Sequence, residues 1–129
     1  MKYPTVEEIE EYNVLVLGII RVKKADRPQV LSRQKIMKAI EVCESVEGDI
    51  YQKAAVLLQH LVRAHAFASG NRRTAFVAAK AFVLDNGGSF NIPDDPSYAA
   101  VMLGIREGRY NEKEIAEWIK NGKIRKSSR

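Results

Sequence analysis

Residues 50–86 read IYQKAAVLLQHLVRAHAFASGNRRTAFVAAKAFVLDN, and this stretch decides the fold. Residues 50–64 contain no Gly or Pro and are rich in Ala and Leu, the composition of a strong helix. Ala54, Leu57, Leu58 and Leu61 recur at the spacing of one helix face. A second helical run is expected from about Thr74. Its apolar positions Ala75, Ala78, Ala79, Phe82 and Val83 are small or aromatic, which suggests a tightly packed central helix. Asn86-Gly87-Gly88 stops it in the manner of a C-cap. Between the two runs, His65-Ala66-Phe67-Ala68-Ser69-Gly70-Asn71-Arg72-Arg73 breaks the helical pattern and reads as a loop.

Helices follow on both sides. Thr5 with Glu8 three residues later forms a capping box. Val6, Ile9, Tyr12, Asn13, Val16 and Ile20 then mark a helix ending near Ile20. Ile19 to Val22 is mostly β-branched, so an extended segment is possible there. Residues 23–31 form a polar break that reads as a loop or small hairpin, with Pro28 restricting Arg27. Ser32 caps a helix whose inner face carries Ile36, Ile40 and Cys43; Gly48 breaks it and Asp49 caps the next. Beyond the second run, residues 90–93 are a short extended piece. Asp95 or Pro96 opens a helix through Tyr98, Val101, Met102 and Ile105, closed at Gly108. Asn111 and Glu114 form a second capping box for a last helix anchored by Ile115, Trp118 and Ile119 and ended by Gly122. The expectation is one all-α domain of about six helices over residues 1–121, with a basic tail at 122–129.

Composition agrees. The chain has 129 residues, 46% of them hydrophobic and 29% charged, as in an ordinary globular domain. One Cys and two His exclude an internal disulfide, a multi-Cys zinc cluster and a three-His metal site. No apolar run is long enough to span a bilayer and the N-terminus lacks a signal peptide's apolar stretch, so a cytoplasmic protein with no membrane partner is expected. The net charge is +5, but Lys123, Arg125, Lys126 and Arg129 supply most of it without an acid among them. The body is nearly neutral, which argues against nucleic acid as a partner.

The segment 65–73 holds the chemistry. Histidine exchanges a proton near neutral pH, so His65 suits a general base. Phe67 can peg a polar loop to the core. Gly70 permits a backbone closed to other residues and a close approach by phosphate. Asn71 can hydrogen-bond the loop to itself. The following helix offers unpaired amides to an anion, and Arg72 and Arg73 add bidentate donors. On spacing alone, this reads equally as a phosphate-binding loop with a base at its entrance or as a plain helix–loop–helix corner whose His caps carbonyls.

The segment resembles the signature of the Fic/Doc (Fido) superfamily: His, any, Phe, any, Asp or Glu, Gly or Ala, Asn, Gly or Lys, Arg. Asn71, Arg72, Arg73, Thr74 and Ala75 look like the Asn-Lys-Arg-Thr-Ala of the Doc (death-on-curing) branch, and the looser likeness runs from about residue 4 to 121. The resemblance implies a toxin-like transferase that moves a phosphoryl or adenylyl group from ATP to a hydroxyl of a target protein, in Doc a translation elongation factor. His65 is then the base, and Ser69, Gly70, Asn71, Arg72 and Arg73 line the nucleotide site. Residues 23–31 are then the flap that holds the target's backbone by strand addition. A separate antitoxin protein is implied as a partner, because the chain lacks the Ser/Thr-x-x-x-Glu-Gly/Asn inhibitory motif. One position departs from the family. Ser69 stands where the family has the acid that holds Mg2+ against the ATP phosphates, so no protein metal ligand is assigned. The expectation is weak or absent transfer from MgATP, with an inactive nucleotide or partner binder as the alternative.

The remaining candidates take ordinary readings. His60 is expected to be partly buried and structural, Cys43 to pack in the core, Tyr110 and Trp118 to anchor the last helix, and Asp94 and Asp95 to cap a helix. A helix-turn-helix DNA reader over residues 50–86 is disfavoured. The connecting segment is longer than the usual turn, and the second helix lacks a polar reading face.

Overall fold

A computed structural model describes residues 1–20, 28–93 and 95–126. Six helices follow in order: α1 (Val6–Ile20), α2 (Arg33–Ser45), α3 (Ile50–Ala64), α4 (Asn71–Asp85), α5 (Ser97–Arg106) and α6 (Glu112–Asn121). Among the described residues there is no strand, only one isolated antiparallel bridge between Val30 and Phe67. The all-α expectation therefore holds. Most of the flap segment at 23–31, as well as Asp94 and the end of the basic tail, lies outside the described residues.

Local chemistry sets the helix starts. The amide of Thr5 donates to Glu8 and the Glu8 amide donates to Thr5 Oγ1, closing the first capping box. Ser32 accepts from the Lys35 amide. Asp49 caps α3 and forms a box with Gln52, and Asn111 does the same with Glu114 at α6. At the other end of α4, the Gly88 amide reaches back to the Val83 carbonyl at 2.9 Å, the closing bond of a Schellman turn.

The centre of the molecule is α3, not α4 as the sequence suggested. Lys53, Ala54, Ala55, Val56, Leu57, Leu58, Leu61 and Val62 are all buried, so α3 is covered over most of its circumference. It packs against α2, α4, α5 and α6, whereas α4 packs mainly on α3 and α1. The outer side of α4 keeps Arg72, Arg73 and Lys80 exposed. A helix that is apolar nearly all round belongs inside, and one with a single apolar face belongs on the rim. Cys43 is fully buried, and burial pushes its thiol up to about 11, so it packs as a small apolar residue. Tyr110 and Trp118 are buried and hold α6 and the preceding turn to the core. Beyond Gly122, Ile124 packs on the same core, and Arg125 bonds Glu114 and the Arg109 carbonyl.

Candidate functional site

The site lies where α3 hands over to α4. α3 ends at Ala64, and His65 takes the left-handed conformation, φ 51° and ψ 48°. It is the one residue other than Gly with positive φ among the described residues. A side chain in that conformation is strained, and such strain concentrates at functional positions. The His65 side chain stands exposed to solvent.

Behind it, the loop is fixed from three sides. Phe67 is only 2% exposed and pins the loop to the core, as its place in the sequence suggested. Asn71 closes the loop on itself: its Oδ1 accepts from the Phe67 amide at 3.0 Å, and its Nδ2 donates to the Phe67 carbonyl at 2.8 Å. Residues 29–32 lie alongside. The amides of Leu31 and Ser32 both donate to the Ala66 carbonyl, and the Ala68 amide donates to the Gln29 carbonyl. From α1, Asn13 reaches in with Nδ2, donating to the Ser69 carbonyl at 2.9 Å and to Thr74 Oγ1 at 3.1 Å. Asn13 is 1% exposed. A buried amide keeps its place only when its polar atoms are bonded, so these contacts lock α1 to the loop.

The helix resumes three residues earlier than the sequence suggested. Gly70 is the N-cap, and its carbonyl accepts from the Thr74 amide at 2.9 Å. Asn71, Arg72 and Arg73 therefore form the first turn of α4 and are not loop residues. Apolar periodicity begins only at Thr74, which is why these three polar positions read as loop. Gly70 has φ 77°, and a Cβ there would meet Asn13 Nδ2 and Leu17 Cδ2 at 3.2 Å. Its lack of a side chain thus serves both the turn and close packing on α1. No side chain caps α4, so its first amides carry no side-chain partner. Arg72 and Arg73 are exposed beside them. Among the described residues neither forms an ion pair. First-turn amides, a favourable dipole and two guanidinium groups are the kinds of donor that can hold phosphate oxygens.

The motif residues divide in their roles. Asn71 spends both ends of its carboxamide on Phe67, and the Ser69 carbonyl is taken by Asn13. His65, Arg72, Arg73 and the α4 amides remain outward. Arg73 also lines a groove of about 790 Å³, together with Phe76, Lys80, Phe90 and Tyr98. His65, Ser69, Gly70 and Arg72 do not line that groove.

A Mg2+ ion held by protein ligands does not fit the residues around Ser69. Its hydroxyl is neutral, its carbonyl is already bonded, and Mg2+ favours carboxylates. Among the described residues no three His, Cys, Asp or Glu side chains gather as a metal site. Three features were missed in the sequence: the buried tie from Asn13, the 29–32 segment lying on the loop, and the groove beside α4. Only Asn13 left a signal, as a polar residue on an apolar stripe.

The profile of the Fic/DOC family matches residues 7–83, more than half of the chain. The matched region runs from α1 into the last turn of α4 and contains the whole site. The chain belongs to the Fic/DOC family. No curated protein sequence matches it. No described helix is long and apolar enough to cross a membrane.

Proposed function

We propose that the chain is a protein-modifying transferase of the Doc type, weakened at Ser69. It moves a phosphoryl or adenylyl group from ATP to a hydroxyl of a target protein. The observation that carries this reading is the uncapped start of α4 with Arg72 and Arg73, beside an exposed, strained His65 on a stapled loop. ATP bound there supplies an electrophilic phosphorus and its own leaving group. His65 takes the proton of the target hydroxyl as its oxygen bonds to phosphorus. The first amides of α4, Arg72 and Arg73 hold the negative charge of the phosphates and of the departing ADP or pyrophosphate. Asn71 and Asn13 act one layer back, keeping the loop in register. The target is a protein, with a translation factor as the family's precedent, and a separate antitoxin protein is the natural silencer.

A second reading has its own support. Ser69 removes a carboxylate from the position that would hold a metal, and a binder of nucleotide or partner without transfer would keep every other feature. ATP labelled at the alpha or the gamma phosphate, offered with cell lysate, separates the two. Wild type is expected to transfer weakly, and Ser69→Asp to raise metal-dependent transfer about tenfold or more, since each tenfold needs only about 1.4 kcal/mol. His65→Ala should abolish transfer and keep nucleotide binding. Transfer that persists in His65→Ala would remove the assigned base. No transfer by either wild type or Ser69→Asp would favour the binder.

A further inference from the structure

Apart from the α4 terminus, the described residues form a second positive site. A recess of about 340 Å³ opens between α2 and α3, lined by Lys35, Lys38, Gln59, His60, Arg63 and Ala64. No acid lines it. Lys35, Lys38 and Arg63 are exposed and His60 is half-buried. Among the described residues none of the four basic side chains has an ion-pair partner, whereas Arg33, at the start of the same helix, is held by Glu7 and Glu10.

Fold stability does not account for this arrangement. Lys35 and Lys38 stand three residues apart on one helix, and His60 and Arg63 three apart on the next. Like charges at that spacing repel on a helix surface, so the two lysines weaken α2 slightly. Gathering them opposite Arg63 concentrates the field further. A partner anion would relieve that repulsion.

We infer that this recess docks acidic side chains of the target protein that lie beside its modified hydroxyl. Both walls are tied to the catalytic loop. Arg63 and Ala64 run directly into His65. Ser32, which caps the Lys35 amide, donates its own amide to the Ala66 carbonyl. An anion held in the recess therefore sits at the edge of the loop that carries His65, on a different helix pair from the Arg72 and Arg73 donors. The inference rests on the proposed transfer only for what His65 does; the docking itself is a binding property.

The shape of the charge favours an acidic protein segment over a polynucleotide. The patch is compact, not a stripe. Along α2, the exposed acid Glu41 follows Lys38 by one turn. A long phosphate backbone would run past the recess onto Glu41, whereas a few carboxylates fill the recess without reaching that acid.

The test uses the full chain and a fluorescein-labelled peptide holding one Thr followed by a run of Glu, with a Gln-for-Glu peptide as control. Anisotropy at low salt should show the Glu peptide binding about tenfold tighter than the control, and the difference should shrink as salt screens it. The double variant Lys35→Gln, Lys38→Gln and the single variant Arg63→Gln should each lose about tenfold of that affinity. All replace exposed side chains, and unchanged thermal melts would show the fold intact. His65→Ala and the double variant Arg72→Gln, Arg73→Gln should bind the Glu peptide as wild type does. Failed transfer with intact peptide binding would therefore sink the proposed activity and leave the docking site standing. Equal affinity for the Gln peptide would overturn the inference, as would loss only in the Arg72 and Arg73 variant. Tighter binding of a single-stranded oligonucleotide through Lys35, Lys38 and Arg63 would also overturn it and make the recess a polynucleotide site.

Discussion

Two helix ends in this molecule are held by buried polar side chains, and they are finished differently. At the end of α2, Lys53 of α3 points its Nζ at the carbonyls of Cys43, Glu44 and Val46, within 3.1 Å of each. The carbonyls of Cys43 and Glu44 at the end of that helix, and of Val46 just beyond it, are satisfied by one ammonium group. At the start of α4, Asn13 of α1 bonds the Ser69 carbonyl and the Thr74 hydroxyl but leaves the first amides uncapped. The same device, one buried polar group reaching in from a neighbouring helix, closes the first end and props the second open. In the proposed reading, the unfinished end of α4 is the place where the phosphates of a ligand complete the helix.

Breaking the two ties should separate their roles. Lys53→Met keeps the packed stem and strips three carbonyls of their donor, for an expected loss of about 3 kcal/mol. Urea unfolding should show it, while ATP affinity at α4 stays as in wild type. Asn13→Leu should cost less, about 2 kcal/mol, because two acceptors are abandoned instead of three. It should also loosen the loop and reduce ATP affinity. If Lys53→Met weakened ATP binding as much as Asn13→Leu, the contrast between a structural end and a ligand-binding end would fall.

Two glycines sharpen the point at smaller scale. Gly70 and Gly87 have nearly the same φ, 77° and 82°. A Cβ at Gly70 would press on Asn13 and Leu17 at 3.2 Å, whereas one at Gly87 would meet open space. Gly87→Ala should cost about 1 kcal/mol from backbone strain alone. Gly70→Ala should cost about 1 kcal/mol more and disturb the loop as well. Equal melting temperatures for the two variants would show that α1 does not press on the motif.

Much of this was legible in the sequence. The capping boxes at Thr5 and Asn111, the Asp49 cap, the breaks at Gly48 and Gly122, and the apolar stripes all follow from local rules, and the six helices appear in the expected order. Phe67 as a peg and Asn71 as a loop staple were readable because their bonds close within a few residues. The start of α4 at Asn71 was not, since polar residues in a first turn carry no periodicity. Nor was the burial of Lys53. A lysine reads as exposed until the carbonyls it bonds, seven to ten residues back, are placed beside it. The tie from Asn13 spans fifty-six residues to Ser69, a distance that no local rule covers.

The smallest effect concerns α6, whose start is closed by a capping box where α4 has no side-chain cap. Arg125 beside Glu114, then the Asn111 amide, hold the Glu114 carboxyl below its ordinary 4.5. A depressed carboxyl stabilises the fold above its unfolded value and loses that contribution as pH falls through the folded one. Melting temperature should therefore fall slightly on acidification below about 4.5, and Glu114→Gln should flatten that part of the curve. An unchanged curve in Glu114→Gln would show that the pair is solvated and idle.

The most direct test of the open end is an amide-resolved NMR titration of the full chain with a non-hydrolysable ATP analogue. The largest shifts should fall on the amides of Gly70, Asn71, Arg72 and Arg73. They should persist in His65→Ala and vanish when Arg72 and Arg73 are both replaced by Gln. Shifts confined to other surfaces, or none at saturating analogue, would contradict the claim that α4 begins at a phosphate site.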